Sequence, residues 1–223
     1  FLVSEDYGIV TKTRELSDRR GNIGFDQLLY FQNGNMPKLR VYNADGSEAD
    51  NCINGLRCIA FLYGLKNTYI QIKNKKFLVN ITTNGATVEG DMPIVDKIHN
   101  WFVIKFGNNH IAKFCENIDE FDLKAEYVKA KGYKPFNKIK DFNMSIFKIC
   151  GDIIKIRTYE NGTGETLSCG SATLSVACAL SKELDLKKFK FSSRGGITKV
   201  YISNDSVISE ARAQVLEEGF LDG

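Results

Sequence analysis

The sequence predicts an α+β protein made of two similar domains that arose by pseudo-duplication. Short runs rich in aromatic and branched residues, such as FDQLLYFQ at 25–32 and NWFVIKF at 100–106, indicate strands. Apolar residues keep helical spacing over 54–65 and again over 171–182. Each helical stretch follows a polar, glycine-containing loop that ends in a cysteine. The order strands, loop, helix and strands therefore occurs twice.

The two halves resemble each other locally around their cysteines. Glu48 lies four residues before Cys52, and Glu165 lies four residues before Cys169. In both cases the helical pattern opens just after the cysteine. No short tandem repeat is present, so the pattern indicates two related domains and not a solenoid.

The remaining elements follow from turn and strand signals. In the first half we predict further strands at 39–43, 68–73, 76–82 and 86–89. In the second half we predict a loop at 107–110, a surface helix over 119–131, and strands at 143–150, 152–159, 188–193, 197–203 and 206–211. We place the first domain at 1–95 and the second at 96–211, with 212–223 packing back onto the first. Because the chain begins at Phe1, we expect the first strand of the first domain to be absent.

Composition excludes several classes of protein. The chain has 223 residues, a net charge of +3, 43% hydrophobic and 26% charged residues, which is neither a polycation nor a disordered chain. No apolar stretch approaches the ~18 residues that a membrane helix needs, and no secretion signal is recognised. With six cysteines, no CxxC pair and two histidines, we expect reduced thiols in a cytoplasmic protein and no metal site.

Cys52 and Cys169 are the candidates for chemistry. A thiol at a helix N-terminus lies near unpaired N–H groups, which favour the thiolate and can also hold a carboxylate. Two such helix starts facing each other would hold one carboxylate between two thiols. That arrangement suits inversion of an amino acid at its α-carbon, with one thiolate removing the proton and the opposite thiol returning one. Ordinary helix capping explains the same pattern equally well. The other four cysteines are predicted to be small buried hydrophobes.

The loops resemble the signatures of a known family. The segments 43–49 (NADGSEA) and 52–58 (CINGLRC) resemble the first signature of diaminopimelate epimerase, and 162–171 (GTGETLSCGS) resembles the second. The segment 19–29 is similar to the family's early glycine and Asp-Gln segment, and 107–110 (GNNH) to its Gly-Asn-Pro-His loop. These matches occur in the family's order along nearly the whole chain.

The resemblance implies a cofactor-independent epimerase that interconverts LL- and meso-diaminopimelate for lysine and peptidoglycan precursor synthesis. It implies two α/β domains, each a barrel-like sheet around a central helix, and a homodimer. No nucleic acid or membrane partner is expected. Carried over by position, Cys52 and Cys169 transfer the protons, and His110 and Glu160 tune their pKa values. The implied substrate-binding residues are Gln27, Asn43, Ile53, Asn54, Asn108, Asn143, Glu160, Asn161, Gly170 and Ser171. Without the resemblance, a structural role in turns is the favoured interpretation of Asn43, Asn108 and Asn143. His99 is expected to be structural.

The sequence departs from the family's pattern at four places. Phe1 corresponds to the end of the family's opening segment, which includes an Asn that contacts substrate. Asn161 replaces an Arg that would grip the distal carboxylate. Ile53 replaces a Gly where the backbone approaches the ligand, and Ala172 replaces a Gly in the second signature. Two alternatives therefore stay open: an epimerase or racemase of another amino acid on the same fold, as in proline-racemase-like relatives, and a truncated, inactive remnant.

Overall fold

The computed structural model describes residues 1–20, 22–139 and 141–220. The chain divides into two compact units. Unit 1 comprises Phe1–Ala49, Asn54–Val88 and Glu210–Gly223. Unit 2 comprises Asp50–Ile53 and Glu89–Ser209.

Unit 1 is a strand-rich unit with one long helix. Its elements are β1 (Leu2–Ser4), α1 (Gly8–Thr11), α2 (Thr13–Leu16), β2 (Gln27–Gln32), β3 (Lys38–Asn43), α3 (Ile53–Leu62), β4 (Thr68–Ile72), β5 (Lys75–Thr82) and β6 (Gly85–Asp91). The strands are neighbours in chain order, with β1 parallel to β2, β2 antiparallel to β3, β3 parallel to β4 and β4 antiparallel to β5. Apolar residues of β2 and β3 such as Leu28, Leu29 and Val41 are fully buried. The unit boundary falls within β6.

Unit 2 contains the remaining elements. They are β7 (Ile94–Ile98), β8 (Trp101–Phe106), β9 (Asn108–Phe114), α4 (Leu123–Lys131), a 3₁₀ turn (Lys134–Phe136), β10 (Phe142–Cys150), β11 (Ile153–Glu160), β12 (Gly164–Thr166), α5 (Gly170–Leu184), β13 (Lys188–Ser193), β14 (Gly196–Ile202) and β15 (Ser206–Arg212), the last of which also extends into unit 1. The strand order is β15, β14, β13, β11, β10, β9, β8 and β7, and the short β12 pairs with β11. Pairing is mixed: β10 is parallel to β9 and antiparallel to β11.

The helix α5 is the most buried element of unit 2. Eleven of its fifteen residues are buried, among them Ala172, Leu174 and Val176. It packs against β7, β8, β9, β10 and β14. A helix that is apolar on all sides must be enclosed, and the many small side chains let the strands approach it closely. Its C-terminus is closed by Asp185 in the left-handed conformation.

The predicted α+β class is confirmed, because strands dominate both units and the helices are few. One local prediction was wrong. Residues 107–110 were expected to form a loop, but only Gly107, with φ of 76°, makes the turn, and Asn108 already pairs with Phe106 at the start of β9. A single glycine with positive φ is enough to reverse the chain between two antiparallel strands. The elements β1, α1, α2, β7 and β12 were not predicted, since each has five residues or fewer and none shows a full period.

Over the described residues, no helix combines the length and apolar character needed to cross a bilayer.

Candidate active site

Both candidate thiols lie directly before a helix, as predicted. Cys52 precedes α3, which begins at Ile53, and Cys169 is the N-cap residue of α5 with extended backbone angles. Cys52 is half-buried and Cys169 is buried, and neither is in a disulfide. Because unit 2 includes Asp50–Ile53, both thiols belong to that unit.

The first turn of α5 holds Cys169 in place. Its carbonyl accepts hydrogen bonds from the backbone N–H of Thr173 at 3.1 Å and from the Thr173 hydroxyl at 3.0 Å. The Cys169 Sγ lies 3.5 Å from Ser171 Oγ. The thiol is therefore fixed against the start of the helix by neighbours in its own segment.

The expected low pKa of a helix-terminal thiol is wrong for Cys169. Burial raises the pKa of the Cys169 thiol well above its ordinary value, and the nearby Glu160 carboxylate raises it further. The Ser171 hydroxyl and the Ala172 N–H act in the opposite direction but are outweighed. Desolvation of a fully buried sulfur exceeds the stabilisation that a helix terminus offers a thiolate. Cys169 is thus held as a protonated thiol beside a carboxylate.

Glu160 is oriented by the hairpin that precedes Cys169. It is the last residue of β11, and its Oε1 accepts a hydrogen bond of 2.5 Å from the Thr166 hydroxyl on β12. In β11 and β12, Glu160 pairs with Gly164. The sequence predicted a role for Glu160, while Thr166 was missed because one hydroxyl in a Gly-rich loop carries no distinctive signal.

Two amide residues of unit 2, Asn143 in β10 and Asn161 just after β11, are hydrogen-bonded to each other. Asn143 Oδ1 accepts a 2.9 Å hydrogen bond from the backbone N–H of Asn161. The Asn161 Oδ1 accepts from the Tyr127 hydroxyl at 2.7 Å, and its Nδ2 lies 3.4 Å from Asp141 Oδ1. Tyr127 and Asp141 were not singled out from the sequence. Asn161, which stands in place of the family's Arg, is therefore built into a hydrogen-bond network with the Tyr127 hydroxyl and the Asp141 carboxylate.

Asn108 and His110 lie on one face of β9, since residues two apart in a strand point the same way. His110 is adjacent to Asn143 in the parallel pairing of β9 with β10. It is buried, and neither ring nitrogen has a hydrogen-bond partner among the described residues. Burial lowers the pKa of His110 to about 4, so the ring is neutral at physiological pH. Its predicted tuning of a thiol stays a prediction.

In unit 1 the structure brings Gln27 and Asn43 together. Gln27 Nε2 donates to Asn43 Oδ1 at 2.9 Å, across the antiparallel pair β2 and β3. The Asn43 Nδ2 donates to Ser47 Oγ at 3.1 Å, and the Asp45 carboxylate accepts from the Ser47 hydroxyl and N–H. The loop after β3 is thus a hydrogen-bonded turn in which the Asn43 amide is oriented on both sides.

The first residues of α3 and α5 differ in their surroundings. Asn54 Oδ1 accepts a hydrogen bond from the Arg57 guanidinium within α3. Ile53 is buried, with 2% of its surface exposed, so the branched side chain that replaces the family's Gly is accommodated by packing. Gly170 is buried at the start of α5. These residues were predicted to hold a carboxylate through their backbone, and that role stays a prediction.

A small recess in unit 2 opens beside Cys169. Its lining includes Thr158, Thr166, Ser168, Cys169 and Arg194. Within residues 1–20, 22–139 and 141–220, no three His, Cys, Asp or Glu side chains come together as metal ligands would.

Comparison with known proteins finds several relatives described as diaminopimelate epimerase. No family model matches the chain. The diaminopimelate epimerase of Wigglesworthia glossinidia brevipalpis is 34% identical, over 71% of this chain and 70% of that protein. The diaminopimelate epimerase of Buchnera aphidicola is 29% identical, over 84% and 77% of the two chains. The protein of the same description from Archaeoglobus fulgidus is 28% identical, over 99% and 91%.

Solved structures with the same fold are more distant in sequence. A phenazine biosynthesis protein of the PhzF family from Enterococcus faecalis has a TM-score of 0.71 at 13% identity, and the match covers 98% of this chain and 91% of that one. A protein described as a predicted epimerase from Pseudomonas aeruginosa has a TM-score of 0.63 at 15% identity, with coverage of 96% and 90%. These similarities establish the fold. The sequence relatives, at up to 34% identity over most of both chains, establish that this chain belongs to the diaminopimelate epimerase family and is an isomerase of the epimerase type.

Proposed function

We propose that this protein inverts the α-carbon of diaminopimelate without a cofactor, using Cys52 and Cys169 as the two proton-transfer groups. The observation that carries the proposal is the Cys169 thiol, buried at the first turn of α5 against the Glu160 carboxylate. The family membership and the placement of Cys52 before α3 support the same assignment.

The chemistry needs one thiolate and one thiol at the start of each turnover. Because its pKa is raised, Cys169 is the proton donor in the resting state, and Cys52 in its thiolate form removes the α-proton. The electron pair left on the α-carbon is delocalised into the substrate carboxylate, and Cys169 then gives its proton to the opposite face. After one turnover Cys52 carries the proton and Cys169 is the thiolate, so the reverse reaction begins from that form.

The backbone N–H groups at the helix starts would stabilise the carboxylate as it gains charge. In α5 these are the N–H groups of Gly170 and Ser171, and in α3 those of Ile53 and Asn54. Preorganised N–H donors in a water-poor site favour a developing oxyanion strongly, commonly by a few kcal/mol for each donor. The neutral amides Asn108, Asn143 and Asn161, together with Gln27 and Asn43 of unit 1, would contact the distal amino-acid end, because an amide can both donate and accept.

Replacing each thiol tests the proposal. In Cys52→Ala and in Cys169→Ala, conversion of LL- to meso-diaminopimelate should fall by about a thousandfold or more, because one face of the α-carbon loses its only acid or base. The measurement is deuterium incorporation at the α-carbon in heavy water, followed by mass spectrometry together with the isomer ratio.

Cys150→Ala is the matched control, since Cys150 at the end of β10 is exposed and the prediction that it is buried was wrong. It should keep full activity. Full turnover in either Ala variant of the two candidate thiols would contradict the two-thiol scheme.

One observation favours a second candidate, an epimerase or racemase of another amino acid. Asn161 occupies the position of an Arg that would bind a distal carboxylate, and the Asn161 side chain is hydrogen-bonded to Tyr127. A panel of amino acids in the same exchange assay separates the candidates. Faster exchange with a monocarboxylic amino acid than with diaminopimelate would favour the second one. Absence of exchange with every amino acid would favour the inactive remnant.

The proposal extends to the assembly and the location. We expect each half of the molecule to form a barrel-like sheet around its long helix, and we expect a homodimer in the cytoplasm. Light scattering coupled to size-exclusion chromatography measures the oligomeric state directly, and a monomer at micromolar concentration would contradict the dimer.

A further inference from the structure

An arginine–glutamate ion pair secures the segment that leads into Cys169. Arg157 on β11 meets Glu165 on β12 through two parallel contacts, Nε to Oε1 at 2.7 Å and Nη2 to Oε2 at 2.8 Å. The Arg157 Nη1 also donates to the carbonyls of Ile118 at 2.6 Å and Phe121 at 2.9 Å. The two side chains are only 11% and 24% exposed. A bidentate, largely buried pair of this kind fixes the geometry of both partners.

The segment between this ion pair and Cys169 has two further attachments. Thr166 is hydrogen-bonded to Glu160, and the Leu167 carbonyl accepts a 2.7 Å bond from the Gly195 N–H. A Cβ on Gly195 would lie only 2.8 Å from Ser168 Cβ, so the two backbones are packed as closely as a glycine allows. From Glu165 onward, the approach to Cys169 is therefore held at successive positions.

Unit 1 contains a pair with the same geometry. Arg40 on β3 contacts Glu48 through Nε to Oε1 at 3.1 Å and Nη2 to Oε2 at 2.9 Å. The Glu48 backbone also bridges to Tyr42, and the Ala49 N–H donates to the Val41 carbonyl at 2.8 Å. The side chains are more exposed, at 39% and 29%.

The two pairs occur at the same intervals along the chain. In each case the arginine lies eight residues before the glutamate, and the glutamate lies four residues before the thiol. The partly exposed Arg40–Glu48 pair is expected to contribute little to stability, and a buried pair such as Arg157–Glu165 loses much of its Coulombic gain to desolvation, so stability alone does not account for the same bidentate contact in both units. A displacement of about 1 Å in a reacting group can cost a hundredfold in rate, and a rigid approach segment prevents it.

We propose that Arg157 and Glu165 are positioning residues for Cys169, and that Arg40 and Glu48 play the same part for the segment that leads to Cys52. The inference rests on the proposed function, in which both thiols transfer protons. Each ion pair acts on the thiol four residues after its glutamate and leaves the other thiol unaffected.

The test measures each thiol by itself. The folded protein and its variants are treated with iodoacetamide, and the alkylation rates of Cys52 and Cys169 are followed by quantitative peptide mass spectrometry. In Glu165→Gln, Cys169 should react about tenfold faster, because loosening the segment exposes a buried sulfur, while Cys52 should change by less than about twofold. In Glu48→Gln the change should be confined to Cys52.

Glu183→Gln is the matched control. Glu183 forms a 3.0 Å ion pair with Lys97, with both side chains about half exposed, and it does not precede a thiol. This control should leave both alkylation rates unchanged. If Glu165→Gln fails to fold, Arg157→Lys replaces it; the lysine keeps the charge but loses the fork, and about threefold faster alkylation of Cys169 is expected.

Two outcomes would overturn the proposal. One is an unchanged Cys169 rate in a folded Glu165→Gln variant, and the other is equal acceleration of both thiols, which would indicate general loosening. Because alkylation needs no substrate, its result is independent of the heavy-water exchange experiment. Failure of the positioning proposal can therefore be distinguished from failure of the proposed epimerase function. With diaminopimelate, the same variants should lose kcat by about tenfold at a KM changed by less than twofold.

Discussion

The two thiol segments share a chain pattern but differ in what surrounds the sulfur. In unit 1 the Arg40–Glu48 pair is partly exposed and leads to a half-buried Cys52 before a ten-residue helix. In unit 2 the Arg157–Glu165 pair is more deeply buried and leads to a buried Cys169 before a fifteen-residue helix. The local pattern thus fixes where each thiol lies along the chain, whereas burial by the surrounding strands raises the pKa of Cys169. The proposed two-thiol scheme requires such a difference, because one thiol must carry a proton and the other must not at the start of a turnover.

Replacing one glycine of each unit by alanine should distinguish an effect on packing, measured as a loss of stability, from an effect on the position of the thiol, measured as a loss of kcat. A Cβ on Gly85 would meet the Ala211 carbonyl oxygen at 2.1 Å, and neither backbone can move away without breaking the strand pairing. Gly85→Ala should therefore lower the free energy of unfolding by about 3 kcal/mol. In unit 2, Gly195→Ala should cost about 1 kcal/mol but reduce kcat about tenfold, because it displaces Ser168 next to Cys169.

Thermal and urea denaturation, together with steady-state kinetics, measure both effects. Gly34→Ala is the control, since a Cβ there meets nothing within 4 Å. If Gly195→Ala destabilises the protein as much as Gly85→Ala while leaving kcat intact, the expected effect of Gly195 on the position of Cys169 is contradicted.

The buried His110 should give unit 2 a pH dependence of stability. Its pKa is lowered to about 4 by burial, while an unfolded histidine titrates near 6.5. Between these values the unfolded state binds the extra proton, so stability falls as the pH drops from about 7 to 4. This loss should amount to roughly 2 kcal/mol, and His110→Gln should remove it.

Urea unfolding of both proteins at pH 7 and near pH 4.5 measures the difference. The relevant quantity is the loss of unfolding free energy between the two pH values in the wild type minus the same loss in the variant, because the carboxylates titrate in both proteins. Parallel losses in the two proteins would show that the ring is protonated in the folded state as readily as in the unfolded one.

Asn161 offers a smaller but more specific test of the substrate. Placing the guanidinium back with Asn161→Arg should lower KM for diaminopimelate about fivefold, because Arg binds a carboxylate with two parallel hydrogen bonds where Asn offers one neutral contact. Asn137→Arg, in the turn after the 3₁₀ segment, is the control for added charge. An increase in KM for diaminopimelate with Asn161→Arg would favour a different substrate.

The sequence predicted the long elements and the placement of both thiols before helices, because loop composition and apolar period are local properties. It did not reveal the raised pKa of Cys169, since burial by five strands from distant parts of the chain is a tertiary effect. Tyr127, the partner of Asn161, was missed for the same reason, since it lies 34 residues away along the chain. Arg157 and Tyr127 carry no motif of their own, and only the eight-residue interval shared with Arg40 could have pointed to the first of them.

The enclosure of α5 has a consequence for how the protein can change. Over Ala172–Ser181 α5 has no solvent-facing side, so this stretch cannot turn about its axis or shift along it unless several strands move with it. The direction of the Cys169 sulfur is therefore set along the whole length of α5, as far as Leu180 near its other end. Enlarging even the side chain of Ala179, about 15 Å along the helix from the thiol at about 1.5 Å per residue, would be felt at Cys169.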